Sequence, residues 1–303
     1  MSNEAYHIPV LLRECVESLV VNPDGVYVDV TFGGGGHSRE ILKKLSPSGR
    51  LFAFDQDQQA AANVPNDPRF VLINQNFAYL KNYLRMYRVE AVDGLLADLG
   101  VSSHQFDTPD RGFSLRFEGP LDMRMNQQSE LTAARVVNTY ELDDLKRVLK
   151  VYGELEGAGR LASELVKKRV EKPFERIEDL KNALDRFAPR HKWHQFYAKV
   201  FQALRIEVNG EMKVLETMLS QAIELLKPNG RLVVISYHSL EDRMVKNFVK
   251  AGNPQGDLQK DFYGNVLRPL DAVGKQPQVP TDEEIEVNNR ARSAKLRIAA
   301  KRP

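Results

Sequence analysis

Residues 26–38, VYVDVTFGGGGHS, constrain this chain more than any other stretch. Val26, Val28 and Val30 alternate with Tyr27 and Asp29, the period-2 pattern of β-branched residues in a buried strand. Gly33, Gly34, Gly35 and Gly36 then bring four residues with no side chain and free access to positive φ, so the strand ends in a loop. Beyond them SREILKKL places Ile41, Leu42 and Leu45 on one helical face. Strand, glycine loop and helix start make the geometry in which a backbone approaches a ligand closely and a helix N-terminus faces it. A tight turn alone would also use glycine, but four exceed what a turn requires.

Several ligands use that geometry, and the details narrow them. A dinucleotide fingerprint needs GxGxxG, yet its third glycine is replaced by Ser38 or Arg39, depending on the start. No Lys follows the glycines, so the phosphate-cradling GxxxxGK[ST] is absent as well. After a turn at Pro47, Ser48 and Gly49, a second strand over 51–54 ends at Asp55. A carboxylate at the tip of the second strand suits a ribose diol, whose two hydroxyls both donate to it. Adenosine ribose without pyrophosphate points to S-adenosylmethionine as cofactor.

The following 50 residues repeat the alternation. A helix is expected over 57–63, a strand over 69–73, a helix from Phe77 to Tyr87 and a strand over 92–98. Alternating strands and helices mean βαβ units and a parallel, doubly wound α/β sheet. Ligands of such sheets lie beyond the carboxyl ends of the strands, where Asp55, Phe77 and Asp98 fall. Before the glycine unit, 8–20 reads as an amphipathic helix behind a proline, with Cys15 packed in it.

From about Gln105 to Arg205 the alternation stops. A loop rich in Gly, Pro and Asp over 107–122 precedes helices expected at 142–151, 160–170 and 177–187. The sheet pattern resumes with a helix over 207–226, a KPNG turn over 227–230, a strand over 231–236, a helix over 240–249 and a strand over 294–299. Residues 251–283, rich in Gly, Pro, Gln and Asp, read as a long mobile loop. The expected organisation is therefore a discontinuous sheet domain, 1–105 with 206–303, interrupted by a helical insertion, 106–205.

With 303 residues, 42% hydrophobic and 28% charged, the chain has the make-up of a globular protein of one large or two ordinary domains. Its single cysteine excludes an internal disulfide and suggests the cytoplasm. Neither a bilayer-spanning apolar run nor a signal peptide is read, so no membrane partner is expected. A net charge of +2 does not mark a nucleic-acid binder, so any such reading rests on local charge. The insertion supplies some with Lys167, Lys168, Arg169, Lys172, Arg176, Lys181, Arg186, Arg190 and Lys192, and the tail with Arg290, Arg292, Lys295, Arg297, Lys301 and Arg302. Phosphate contact is one fate for such runs and a solvated face is the commoner one. The tail has few acids of its own. HKWHQFY over 191–197 mixes cations and aromatics that can hold single-stranded nucleic acid. At least two of Trp193, Phe196 and Tyr197 are expected in the insertion core instead.

Asp98 ends the fourth strand, where it can meet the cofactor or the reacting group; an Asp near Gly100 also simply closes a strand. Tyr237 and His238 follow the fifth strand at the same edge. Ser239 and Asp242 are spaced as a capping box, so part of that motif serves the helix start. The six histidines have no cysteine partners and no HExxH spacing, so no metal is expected.

HIPVLL, DVTFGGGGHS, FDQD, LLADLGVSSHQ, RGFS, GPLDMRM, FQALRIEVN, SYHSLEDRMVK and RARSAKLRIA, in this order from residue 7 to about 300, closely resemble the small-subunit ribosomal RNA methyltransferase H family, also called MraW. The resemblance implies a class I, Rossmann-like S-adenosylmethionine-dependent enzyme with a helical substrate-recognition domain inserted in the sheet. It implies methylation of the exocyclic amine, N4, of a cytidine in the decoding region of small-subunit (16S) rRNA, on RNA alone or in a partly assembled subunit. A homodimer is compatible with it. The implied cofactor residues are the loop Gly33, Gly34, Gly35 and Gly36 with His37, then Asp55, Phe77, Asp98 and Gln105. His37 and Gln105 enter through the resemblance alone. Candidate catalytic residues are Asp98, Tyr237 and His238. Two departures stand out. After Tyr152-Gly153-Glu154 the family usually continues acidic, aromatic, basic, whereas here it runs Leu-Glu-Gly-Ala-Gly, with Gly157 and Gly159 inside an expected helix. His104 stands where proline is common. Competing readings are another class I methyltransferase, acting on DNA or a small molecule, and a non-catalytic RNA-binding relative. The basic surfaces argue against a small-molecule substrate, and intact Asp55 and Asp98 against lost catalysis.

Overall fold

A computed structural model of the chain describes residues 9–275 and 277–303. His7 and Ile8, the start of the HIPVLL motif and of the expected first helix, lie outside them. The chain forms two compact units, Met1–Gly100 with Lys213–Pro303, and Val101–Met212.

Among the described residues the first unit holds a seven-stranded sheet. Its strands are β1 (Val26–Asp29), β2 (Arg50–Phe54), β3 (Phe70–Ile73), β4 (Val92–Asp98), β5 (Leu226–Ser236), β6 (Leu270–Ala272) and β7 (Lys295–Lys301). They lie in the order 3-2-1-4-5-7-6, parallel from β3 to β5, with β7 antiparallel between β5 and β6. Period-2 alternation sends successive residues to opposite faces, and both faces are covered. Val28, Phe52, Phe54, Leu95, Leu232 and Val234 share one core with residues of helices Leu80–Met86, Glu211–Leu225 and Ser239–Ala251. Tyr27, Leu51, Ala53, Leu96, Val233 and Ile235 share the other with helices Leu12–Leu19 and Gly36–Lys44. Cys15 is buried there. This is the expected α/β, doubly wound, Rossmann-like sheet. The chain leaves β1 toward β2 and β3 on one side and returns through β4 toward β5 on the other. The order therefore reverses between β1 and β4, where such sheets bind ligands.

The second unit is helical. Helices Ala133–Thr139, Leu142–Val151, Ala158–Glu171, Ile177–Leu184 and Trp193–Asn209 surround a core that includes Val136, Val148, Leu149, Leu161, Leu165, Leu180 and Leu204. Gly157 does not lie inside a helix. At φ 71° it is the N-cap from which Ala158–Glu171 starts, and Gly159 falls in that first turn.

Several element boundaries differ from the sequence expectation. The single helix expected over 207–226 is two, Trp193–Asn209 and Glu211–Leu225, broken at Gly210 with φ 60°. The 227–230 turn is taken into β5 as an irregularity: Leu226 pairs with Val92 and Arg231 with Gly94, while Asn229 takes φ 64°. Residues 57–63 form a 3-10 turn, Gln58–Asn63, capped by Asp57. The stretch 251–283 is not only loop. It contains a hairpin of Gln259–Lys260 with Val266–Leu267, and β6.

Candidate active site

The carboxyl ends of β1 and β4 carry Asp29 and Asp98, and the glycine loop leaves from β1. Asp29 is 1% exposed. Its Oδ2 accepts from Ser38 Oγ at 2.7 Å and its Oδ1 from Thr31 N at 3.0 Å. A carboxylate there would otherwise be stranded between two apolar layers. Thr31 Oγ1 in turn accepts from the backbone N–H of Asp98 at 2.6 Å, tying the end of β4 to the turn after β1.

The glycines have separate jobs. Gly33 N–H donates to Asp55 Oδ2 at 2.8 Å. Gly34 is exposed, and a Cβ added there would have nothing within 4 Å. Gly35 is the N-cap of helix Gly36–Lys44 at φ 75°, and no side chain caps that end. Its N-terminal N–H groups are thus open to a ligand. A Cβ on Gly36 would stand 2.2 Å from Pro9 Cγ, well inside contact distance. His37 is buried: Nε2 lies 3.1 Å from the Val10 carbonyl and Nδ1 3.8 Å from Asp98 Oδ2.

Asp98 Oδ1 accepts from Tyr237 Oη at 2.7 Å. Burial pushes the Asp98 carboxyl above the ordinary carboxylate range, while His37 and the Tyr237 hydroxyl pull it back. Burial, then the Asp98 charge, push the Tyr237 phenol well up, so it stays a neutral donor. Asp55 stands at the tip of β2 with both oxygens held, Oδ2 by Gly33 N–H and Oδ1 by Asp57 N–H at 2.8 Å. Burial raises it to about 6 against those two hydrogen bonds. Each oxygen keeps a lone pair, as a ribose diol requires. Phe77, half-buried, opens the 3-10 turn Phe77–Tyr79 after β3, with Asn76 capping it. Loop, Asp55, Phe77, Asp98, His37 and Tyr237 thus all lie at the carboxyl edge of the first unit's sheet. An exposed loop backbone, a diol acceptor, a half-buried aromatic face and half-buried carboxyls toward a cation fit S-adenosylmethionine.

Two candidates have other duties. His238 is the N-cap of helix Ser239–Ala251: its Nδ1 accepts from Glu241 N–H at 3.4 Å, its Nε2 lies 3.1 Å from Glu241 Oε1, and Glu241 Oε2 accepts from Tyr237 N–H at 2.8 Å. The capping box is therefore His238 with Glu241, not Ser239 with Asp242. Asp242 instead pairs with Arg297 at 2.8 Å. Gln105 belongs to the second unit, buried, as the third residue of a capping box with Ser102.

Sequence reasoning missed Asp29, Thr31 and Ser38. The available signal was a carboxylate in a strand whose alternation buries both faces. The basic runs are also less free than they read. Arg169 Nη1 donates to the carbonyls of Val137 and Tyr140, closing the end of helix Ala133–Thr139. Lys168 pairs with Glu171, Lys172 with Asp179 and Arg176 with Glu178. In the tail, Lys295 and Arg297 share Asp242, and Arg302 pairs with Asp271. The tail's acids come from elsewhere in the chain. Tyr197 is buried, Phe196 packs against the helical core, and Trp193 is exposed. No helix among the described residues is long and apolar enough to cross a membrane.

The model of the MraW methylase family matches residues 4–302. The "Ribosomal RNA small subunit methyltransferase H" of Flavobacterium johnsoniae is 56% identical over 296 residues, 98% of each chain. The protein of the same name from Parabacteroides distasonis is 57% identical over 300 residues, 99% of this chain and 98% of that one. Among solved structures, an rRNA methylase from Streptococcus thermophilus aligns with TM-score 0.40 and 13% identity, over 96% of this chain and 94% of that one. A SAM-dependent O-methyltransferase from Thermotoga maritima aligns with TM-score 0.40 and 11% identity, over 99% and 69%.

Proposed function

Since this chain belongs to the MraW methylase family, we propose that it transfers a methyl group from S-adenosylmethionine to the exocyclic N4 amine of a cytidine in the decoding region of small-subunit rRNA. Methylation of rRNA is what the relatives' names support. Cytidine N4, the decoding region and a partly assembled subunit as substrate are the finer reading, carried by the motifs FGGGGHS, LADLGVSSHQ and SYHSLEDR. The helical unit is assigned to the RNA. The observation that carries the chemistry is the half-buried Asp98 carboxyl at the end of β4, held by Tyr237 Oη at 2.7 Å.

Bound there, the cofactor supplies an electrophilic methyl on a sulfonium. The rest falls to the chain. Asp55 and the glycine loop fix the nucleoside end, and Phe77 flanks the base. Cytosine's amine is a poor nucleophile because its lone pair is delocalised into the ring. Asp98 accepts a hydrogen bond from that amine, turns its lone pair toward the methyl, and takes the proton as the nitrogen becomes tetrahedral and positive. A carboxyl raised above its ordinary range is the better base for that step. Tyr237 and His37 keep its oxygens oriented. His238, committed to its helix cap, shapes the edge without holding the proton. The target base must leave its stack to reach this position.

The test is Asp98→Asn at saturating cofactor, with nucleoside analysis of the RNA. The amide keeps an acceptor oxygen and loses the charge, so turnover should fall about a hundredfold, about 2.7 kcal/mol in the barrier. Near-normal turnover would make Asp98 a cofactor ligand only, and methyl on a different base atom would sink the N4 reading.

A further inference from the structure

The second unit carries one feature that the proposed chemistry leaves unused. Helix Ala158–Glu171 presents Gly159, Arg160, Glu164 and Lys167 along one face, and with Arg186 and Phe187 they line an open depression of about 380 Å³. Gly159 adds no side chain to the lining, and a Cβ there would meet nothing nearer than the Lys146 methylenes at 3.8 Å. The lining has three cations against one carboxylate. That carboxylate, the buried Glu164, is taken by Arg186 in an ion pair. The same guanidinium lies 4.7 Å from the centre of the Phe187 ring. Arg160 and Lys167 are exposed, and neither is in a salt bridge among the described residues, unlike Lys168, Lys172 and Arg176 beside them.

This combination discriminates among anions. Arg160 and Lys167 are two helical turns apart, about 10 Å along the axis, farther than one phosphate reaches. A planar guanidinium over a ring is a surface on which a base stacks, whatever its sequence. A depression of this size is at the small end of ligand sites and takes one nucleotide. Resting on the reading of the chain as an RNA methylase, we propose that this face holds one splayed nucleotide of a single-stranded RNA segment. Its flanking phosphates lie on Arg160 and Lys167, and its base on the Arg186–Phe187 platform.

The test uses the full chain and a labelled single-stranded RNA of about 12 nucleotides, free or annealed to its complement, titrated by anisotropy between about 50 and 200 mM salt. Arg160→Ala with Lys167→Ala should weaken single-strand binding at least about tenfold at low salt and flatten the log–log salt slope by about 1.4, about 0.7 for each phosphate no longer neutralised. Gly159→Leu adds bulk to the lining and removes no charge; it should weaken the single strand and leave the duplex unchanged. Lys168→Ala should change neither, and melting curves establish that each variant is folded. Unaltered affinity and slope in the double variant, or no effect of Gly159→Leu, overturns the proposal. Methyl transfer to small-subunit RNA, followed in parallel, separates the two ideas. If the wild type transfers methyl and the double variant keeps its KM for RNA, this face is wrong and the activity stands. If the wild type transfers none while the double variant loses single-strand binding, the activity reading falls and the face stands.

Discussion

At Asp55 two demands meet on one carboxylate. Its oxygens hold Gly33 N–H and Asp57 N–H, which shape the loop, and in the proposed site they also accept from the cofactor. Asp55→Ala should weaken S-adenosylmethionine binding by about 2–3 kcal/mol, part of it from donors left stranded. Unchanged affinity in calorimetry removes Asp55 from the site. The raised value of about 6 adds a pH signature. Cofactor hydroxyls donate to the charged form, so binding pulls this value down and protonation competes with binding. Affinity should hold above about pH 6 and fall about tenfold per pH unit below it, until the pKa of the bound form is reached. Calorimetry at pH 5.5 in two buffers of different ionisation heat should register a proton released on binding. A flat profile from pH 5 to 7.5 would mean that the diol sits elsewhere.

Among the elements, the glycine loop permits a paired experiment. Gly36→Ala drives a methyl into the Pro9 ring, so the helix start must shift; overpacking of this kind costs about 1–3 kcal/mol of stability. Gly34→Ala points into open space, so stability should stay within about 0.5 kcal/mol. Cofactor affinity should drop all the same, because the added methyl stands where the ligand approaches. Thermal melts beside calorimetry settle it: if Gly34→Ala binds normally, the loop is not the cradle. The sheet's elements were readable because alternation and glycine are local signals. Helix Trp193–Asn209 was not. Its first residues carry the cation–aromatic mixture of a binding segment, which masks Tyr197, Val200, Phe201 and Leu204 recurring at helical spacing. The cap at His238 was misjudged by one residue because Ser and Asp are the commoner capping pair, and only the backbone angles show which residue leaves the helix. Asp29 reads as an outward polar residue until the register puts covered strands on both sides of it.

In the whole molecule, each unit has its own core, so ligand linkage should act unevenly. Cofactor at a hundredfold its Kd stabilises whatever binds it by about 2.7 kcal/mol. Hydrogen exchange should slow around residues 31–37, 55, 77 and 98, while the core amides of helices Ala133–Thr139 to Ile177–Leu184 keep their rates. Protection reaching residues 102–105 would make Gln105 a ligand as well as a cap. Equal slowing across the helical unit would overturn the assignment of the cofactor to the sheet.

The strand order has a consequence for the chain while it is being made. β4 pairs on one side with β1, already synthesised, and on the other with β5, which follows only after all of Val101–Met212. On the ribosome the helical unit can finish folding while the sheet waits half-built, with β4 as a raw edge. That edge presents Leu95, Leu96 and Ala97, residues fully buried at the end. Unpaired apolar edges are where nascent chains find wrong partners. A chain of this design therefore passes through its most aggregation-prone moment in mid-translation, with its helical unit complete and its sheet still open.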